Sequence, residues 1–165
     1  MSVSAQDVQR LRTETGAGIM DAKRSLEEAK GDVAKAKALL KERGLTKAAK
    51  KAGRETAEGV VHSYIHGGGK IGVLLELLCE TDFVAKNDDF QALAQEIAMQ
   101  IAAANPRDTK ELLAQPHIKD EKQTVEQLLQ ASVVKLGENI KMTRFTRYAL
   151  GVSGSAADGA EPDDG

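Results

Sequence analysis

The chain has 165 residues, 23 Lys/Arg against 25 Asp/Glu, one cysteine, and only 3% aromatic residues. That length suits one domain or a small module with a modest domain, and a Leu-, Ile-, Val- and Ala-based apolar content points to a largely helical protein. A single cysteine excludes an intrachain disulfide, no apolar stretch approaches the roughly 20 residues of a membrane span, and "MSVSAQDVQRL" has no signal core, so a reducing cytoplasm is expected.

Charge is unevenly spread. Residues 1–55 hold 13 Lys/Arg against 8 Asp/Glu, residues 56–150 hold 10 against 13, and residues 151–165 hold none against 4. The basic head suits an acidic partner surface, or is simply a solvated Lys-rich face. Within it, Ser4 can cap "AQDVQRLR". "IMDAKRSLEEAKG" places Ala22, Leu26 and Ala29 on one stripe and stops at Gly31. Asp32 can cap "VAKAKALLKERG", with Val33, Ala36, Leu39 and Leu40 on one face and Gly44 as its end. Three such short helices cannot hide their stripes singly, so a three-helix head over residues 1–45 is predicted. Lys47, Lys50, Lys51 and Arg54 recur at three- and four-residue steps, which predicts a basic linker helix over 46–58 carrying one cationic ridge.

From Gly59 the period changes. "GVVHSYIHGGGKIGVLLELLCE" predicts a hairpin with strands near 59–66 and 70–80 around Gly67, Gly68 and Gly69, the second strand more buried and interrupted only by Glu76. "NDDFQALAQEIAMQIAAA" predicts a helix ended by Asn105-Pro106, then a polar loop containing Pro116. "KDEKQTVEQLLQASVVKLGEN" reads as a second long helix, with Val125, Leu128, Leu129 and Val133 inward, and "NIKMTRFTRYALGV" as a third strand. The expected class is α+β, with a three-stranded antiparallel sheet packed with helices over 59–150 and an acidic, unordered tail over 151–165.

The residues offer little for bond-making chemistry. "GGGK" lacks the hydroxyl residue and the following helix that a phosphate loop needs. His62 and His66 lie roughly 13 Å apart on an extended strand, too far to share a metal ion. Cys79 has no base beside it in sequence, and Asp88-Asp89 suit the first turn of a helix. No enzyme, metal site or cofactor is expected. The stretch "CETDFVAKNDDF" stays open: Thr81 or Asp82 could cap the next helix with Phe83 stapled to the core, or Phe83 could stand outward for a partner.

"RTETGAGIMDAKRSLEEAKGDVAKAKALLKERG", "KAAKKAGRETAEGVV", "CETDFVAKNDDF" and "LGENIKMTRF", in that order over about residues 4–150, resemble the translation elongation factor Ts family. The resemblance is to a short form lacking the second core subdomain. It implies a ubiquitin-associated-like three-helix head, an α+β core, and guanine-nucleotide exchange on elongation factor Tu. The family's T-D-F-V loop corresponds to Thr81, Asp82, Phe83 and Val84; its aspartate and phenylalanine enter between two helices of the GTPase and disturb the Mg²⁺ and phosphate surroundings. Further partner contacts carried over by motif are Ile19, Met20, Lys23, Lys51 and Leu136. GDP, GTP and Mg²⁺ would belong to the partner. Short members of the family can pair as homodimers, for which a sheet edge or an apolar face near Phe145 and Tyr148 would serve. The competing reading is a protein- or RNA-interaction module using the head and the basic ridge, although that ridge lacks interleaved aromatics for base stacking.

Overall fold

The computed structural model describes residues 3–152; the acidic tail from residue 153 onward lies outside the described residues. Ser4 Oγ accepts from the Asp7 N–H at 3.1 Å and opens α1 (Ala5–Thr15). Gly18 precedes α2 (Ile19–Glu28), and Asp32 accepts from the Lys35 N–H at 3.1 Å to open α3 (Val33–Lys51). Val8, Leu11, Ala22, Leu26, Ala29 and Ala36 close a small core among these helices, with Val33, Leu39 and Leu40 half-buried around it.

The chain then forms β1 (Glu58–His66), β2 (Ile71–Cys79), a single turn of helix α4 (Asp82–Ala85), α5 (Asp88–Ala104) and α6 (Thr109–Ala114). A short hairpin follows, β3 (Pro116–His117) and β4 (Asp120–Thr124), then α7 (Val125–Leu136) and β5 (Lys141–Ala149). Gly67, Gly68 and Gly69 take φ of +63°, +66° and +90°, a run that side chains with a β-carbon resist, and so they close the β1–β2 turn. The main sheet is three-stranded and antiparallel, as expected, and its order is β1-β2-β5. Its central strand is β2, whose Val73, Leu75, Leu77 and Cys79 all face a second, larger core with Phe90, Leu93, Ile97 and Ile101 of α5. Glu76 on the other face is served by β5. A bulge leaves Thr143 unpaired, its Oγ donates to Glu76 Oε1 at 2.6 Å, and Arg144 reaches Oε2 at 3.2 Å.

Phe145 and Tyr148 both lie beyond the bulge, three residues apart in continuous register, so strand alternation puts them on opposite faces. Phe145 sits opposite Leu75 and packs against the core, whereas Tyr148 sits opposite Gly72 and is exposed. The two aromatics therefore do not share the single apolar face expected of them. The exposed apolar residues of the outer sheet face are Val61, Ile65, Leu74 and Tyr148.

Three boundaries need correction. Gly44 does not end a helix, and no separate helix occupies 46–58. Instead α3 continues through 19 residues to Lys51, and β1 begins at Glu58. Gly44 lies against α7, where a β-carbon would stand 3.6 Å from Val134 Cγ2, and Ala48 is buried in the larger core. Packing on both cores offsets a mid-helix glycine penalty of about 1 kcal/mol. Arg54 consequently falls beyond the helix and leaves the predicted ridge. Next, α7 starts at Val125, not near Lys119: Thr124 and Gln127 form a reciprocal capping box that starts the helix there. Finally, residues 106–124 are not a plain loop. Asp108 caps α6, and the buried Gln100 side chain accepts from the Ile118 N–H at 2.8 Å and donates to the Pro116 carbonyl at 3.2 Å, pinning the β3–β4 hairpin to α5.

Candidate functional site

Between the last residue of β2 and the first turn of α5, the chain must leave a buried strand and re-enter the core at Phe90. Thr81 manages the exit. Its extended backbone ends the strand, and its hydroxyl oxygen faces the Val84 N–H at 3.4 Å as the cap of α4. Asn87 accepts from the Asp89 N–H at 2.8 Å and begins α5. Ala85 is buried and Val84 half-buried against the core, so the turn is anchored on its inner side. A one-turn helix has only one outer side, and Asp82 and Phe83 occupy it. Phe83 is 84% exposed, while Phe90, seven residues later, is fully buried. The staple alternative for Phe83 is thereby excluded in this structure.

The Asp82 carboxylate accepts from Lys86 Nζ at 2.9 Å, one helical turn on. This bond, with the attraction of the same ammonium, holds the Asp82 carboxyl below the ordinary carboxylate range and raises Lys86. The outer face of the turn therefore presents an ionised carboxylate beside an uncovered phenyl ring.

The base of the turn is tied to the chain that joins α7 to β5. Glu138 Oε2 accepts from the backbone N–H groups of Glu80 and Thr81 at 3.1 and 3.0 Å, and Oε1 accepts from the Thr81 hydroxyl at 2.6 Å. In return, Glu80 Oε1 accepts from the Asn139 N–H at 2.7 Å. The Asn139 amide donates to the carbonyls of Ala52 at 3.3 Å and Arg54 at 2.7 Å, and Lys51 Nζ donates to the Gly137 carbonyl. Residues 137–139 thus touch both the end of α3 and the start of α4. In the sequence "GEN" stands out only as the end of a predicted helix, the approach to a strand and part of a matching block. The available signal was an acid and an amide placed together between two apolar runs, where buried polar groups require partners.

The other sequence-predicted residues divide into two groups. Lys51 reaches the base through the Gly137 carbonyl, and Leu136, half-buried against the core, immediately precedes Gly137 in the chain. Ile19, Met20 and Lys23 lie on the head at the start of α2, where Ile19 and Met20 are 54% and 64% exposed. Lys47 Nζ reaches Asp21 Oδ2 at 2.6 Å, which fixes this end of α2 to α3. Lys47, Lys51 and Arg54 all have internal partners, Arg54 lying 3.5 Å from Glu80.

Elsewhere, His62 Nε2 bonds Gln95 Oε1 at 2.7 Å, His66 Nδ1 bonds the Tyr64 hydroxyl at 2.8 Å, and His117 is buried 3.6 Å from a Glu96 oxygen. Cys79 is fully buried, its Sγ–H donates to the Thr81 carbonyl at 3.2 Å, and burial pushes its pKa up to about 11. That environment suppresses the thiolate a nucleophile needs. Among the described residues no group of three His, Cys, Asp or Glu could hold a metal ion, and no helix is long and apolar enough to cross a membrane.

A helical head sharing one long helix with an α+β core, and a capped turn holding an acid and a phenylalanine in solvent, define the class of protein. Comparison with known sequences gives the family. The family model described as "Elongation factor TS" matches residues 80–157. The elongation factor Ts of Desulforamulus reducens is 44% identical, covering 90% of this chain and 89% of its own length. That of Acaryochloris marina is 45% identical (91% and 82%), and that of Coprothermobacter proteolyticus 40% identical (92% and 100%). The chain belongs to the elongation factor Ts family, as a short form. The first of these matches extends over 194 residues, more than the 165 present here, so that relative carries internal residues with no counterpart in this chain.

Proposed function

We propose that this chain is a guanine-nucleotide exchange factor for elongation factor Tu, acting during translation elongation by inserting Asp82 and Phe83 near the partner's Mg²⁺ and phosphate site. The observation that carries the reading is the 84% exposure of Phe83 on a turn whose other side is anchored. A solvent-facing phenyl adds little to its own fold, and a partner that covered it would gain about 1.5–3 kcal/mol. The ionised Asp82 beside it suits competition for a cation that neutralises phosphate charge.

Magnitudes restrict the mechanism. A nucleotide bound at nanomolar Kd is held by about 12 kcal/mol. Raising its release 10⁴-fold requires about 5.5 kcal/mol off the barrier. Burying one phenylalanine supplies about 1.5–3 kcal/mol, so Phe83 cannot suffice. Docking of the head through Ile19, Met20 and Lys23, and of the base through Lys51 and Leu136, supplies the remainder. The coupling is reciprocal: bound GDP or GTP weakens the factor's grip by the factor that it weakens theirs, which lets the exchanger leave. No bond is made or broken in this chain. The exposed Val61, Ile65, Leu74 and Tyr148 on the outer sheet face support pairing with a second copy of the chain. The RNA-module alternative is weakened, since Arg54 falls beyond α3 and Lys47 is paired with Asp21, which leaves the ridge incomplete.

The test is release of a fluorescent GDP from purified elongation factor Tu with and without this protein. Acceleration that saturates with factor concentration is expected; unchanged release with a folded sample defeats the reading.

A further inference from the structure

We propose that Glu138 is a positioning residue, setting the angle at which Asp82 and Phe83 are presented; this rests on the exchange reading above. The backbone N–H groups of Glu80 and Thr81 lie beyond the sheet ladder, because β1 pairs only as far as Glu58↔Cys79 and β5 only as far as Lys141↔Leu78. Both N–H groups donate to Glu138 Oε2, and the Thr81 hydroxyl donates to Oε1. One side chain therefore satisfies every donor of the residue that caps the turn. A four-residue helix cannot persist on its own hydrogen bonds, because nucleation is costly. Its direction must come from its flanks. On the inner flank those are Val84 and Ala85, whose carbonyl takes the Gln91 amide at 2.6 Å; on the strand flank they are the three bonds to Glu138 and the weaker thiol bond from Cys79 to the Thr81 carbonyl.

The arrangement separates orientation from stability. Thr81 is exposed, so with Glu138 removed its N–H and hydroxyl can turn to water, and the large core around Phe90 and Leu77 is untouched. What is lost is the fixed direction of α4. Glu138 also stands between Gly137, whose carbonyl takes the Lys51 ammonium, and Asn139, whose amide holds the Ala52 and Arg54 carbonyls. The end of the head's long helix and the root of the turn are thus gripped by three successive residues. Contacts that dock the head are thereby held in fixed relation to the phenyl ring.

The experiment uses the full chain with Glu138→Gln and Glu138→Ala, each also combined with Phe83→Ala. GDP release from elongation factor Tu is measured against factor concentration, with thermal melting and amide exchange alongside. Charge-assisted hydrogen bonds of this kind predict that Glu138→Ala lowers the saturating release rate about tenfold or more. The half-saturating concentration should stay within about twofold, because docking surfaces are unchanged. Glu138→Gln, which keeps an acceptor for the two N–H groups, should fall between. Amide exchange should quicken at Glu80, Thr81 and the amides of α4 that bond Thr81, and stay unchanged in α5 and the sheet. On the Phe83→Ala background, Glu138→Ala should cost less than about twofold more, since both act through one element. An undiminished loss on that background overturns the proposal, as does a loss confined to half-saturation or one explained by a lowered melting temperature. If the unaltered chain fails to accelerate release, the exchange reading fails instead; if Phe83→Ala retains full activity, only the wedge assignment fails. In either event, unchanged amide exchange at Glu80 and Thr81 in Glu138→Ala would still refute the hold on the turn.

Discussion

Phe83→Ala and Phe90→Ala should be opposites, although the two rings are seven residues apart. Phe83 is 84% exposed, so truncating it removes almost no contact from the folded chain and should change unfolding free energy by less than about 0.5 kcal/mol. Phe90 is fully buried among residues of β2 and α5, and its truncation leaves a cavity costing about 3–5 kcal/mol. That is a large share of the roughly 5–15 kcal/mol that holds a domain folded. On the partner the order reverses. Covering the Phe83 ring supplies about 1.5–3 kcal/mol, so its loss should reduce exchange efficiency about 10- to 150-fold. Phe90→Ala should exchange normally wherever enough of it remains folded. Urea unfolding gives the first pair of numbers and stopped-flow release of fluorescent GDP the second. A Phe83→Ala protein destabilised by more than about 1 kcal/mol would mean that the ring is used internally. Full exchange activity in that variant would remove the wedge from the mechanism.

Cys79 should resist thiol reagents in the native state and react promptly once unfolded. Its raised pKa also gives a sign: the folded state disfavours the thiolate, so its contribution to stability is complete below the ordinary thiol value of 9.0 and is lost as pH rises towards about 11; melts across that window check it, and a Cys79→Ala variant with the same alkaline loss would contradict it. Gly59 has φ of +152°, and a β-carbon there would lie 2.1 Å from the Leu77 carbonyl oxygen. Gly59→Ala should therefore lose at least about 2 kcal/mol in urea unfolding, and a neutral outcome would mean that β1 is not seated as described. If two copies pair through the outer sheet face, Ile65→Asp should raise the dimer dissociation constant at least about tenfold by light scattering. A single-chain mass for both proteins at high micromolar concentration would refute the pairing.

The hairpin was legible because β-branched residues and three glycines leave few alternatives, and α5 because eight of its residues are buried at helical spacing. Thr81 was legible only as one of two candidate caps beside Asp82, the separate turn α4 was not predicted, and the direction of Phe83 was not legible. A capping threonine followed by an aromatic is compatible with a staple or with exposure, and only the family resemblance favoured the second. What decides it physically is the length of α4: in four residues, Val84 and Ala85 take the inner side and Phe83 has nowhere else to point. Gly44 misled for a different reason. Its local preference for a helix end is worth about 1 kcal/mol, and contacts with α7, distant in sequence, outweigh it. The β3–β4 hairpin carries no apolar alternation, since its order comes from the Gln100 amide. Glu138 could not be paired with Thr81 from sequence, because 57 positions separate them and nothing periodic links them.

One consequence of α3 concerns counting. Because a single helix enters both cores, the bearing of Ile19 and Met20 relative to Phe83 is set by a number of residues, as teeth set the phase of two gears on one shaft. Adding one residue near Leu45 would turn the head by about 100° and advance it by about 1.5 Å. Each core could survive that change while the two halves ceased to face a common target. Substitutions along this rod should be tolerated far more readily than insertions or deletions, and a loss of four residues more readily than a loss of two.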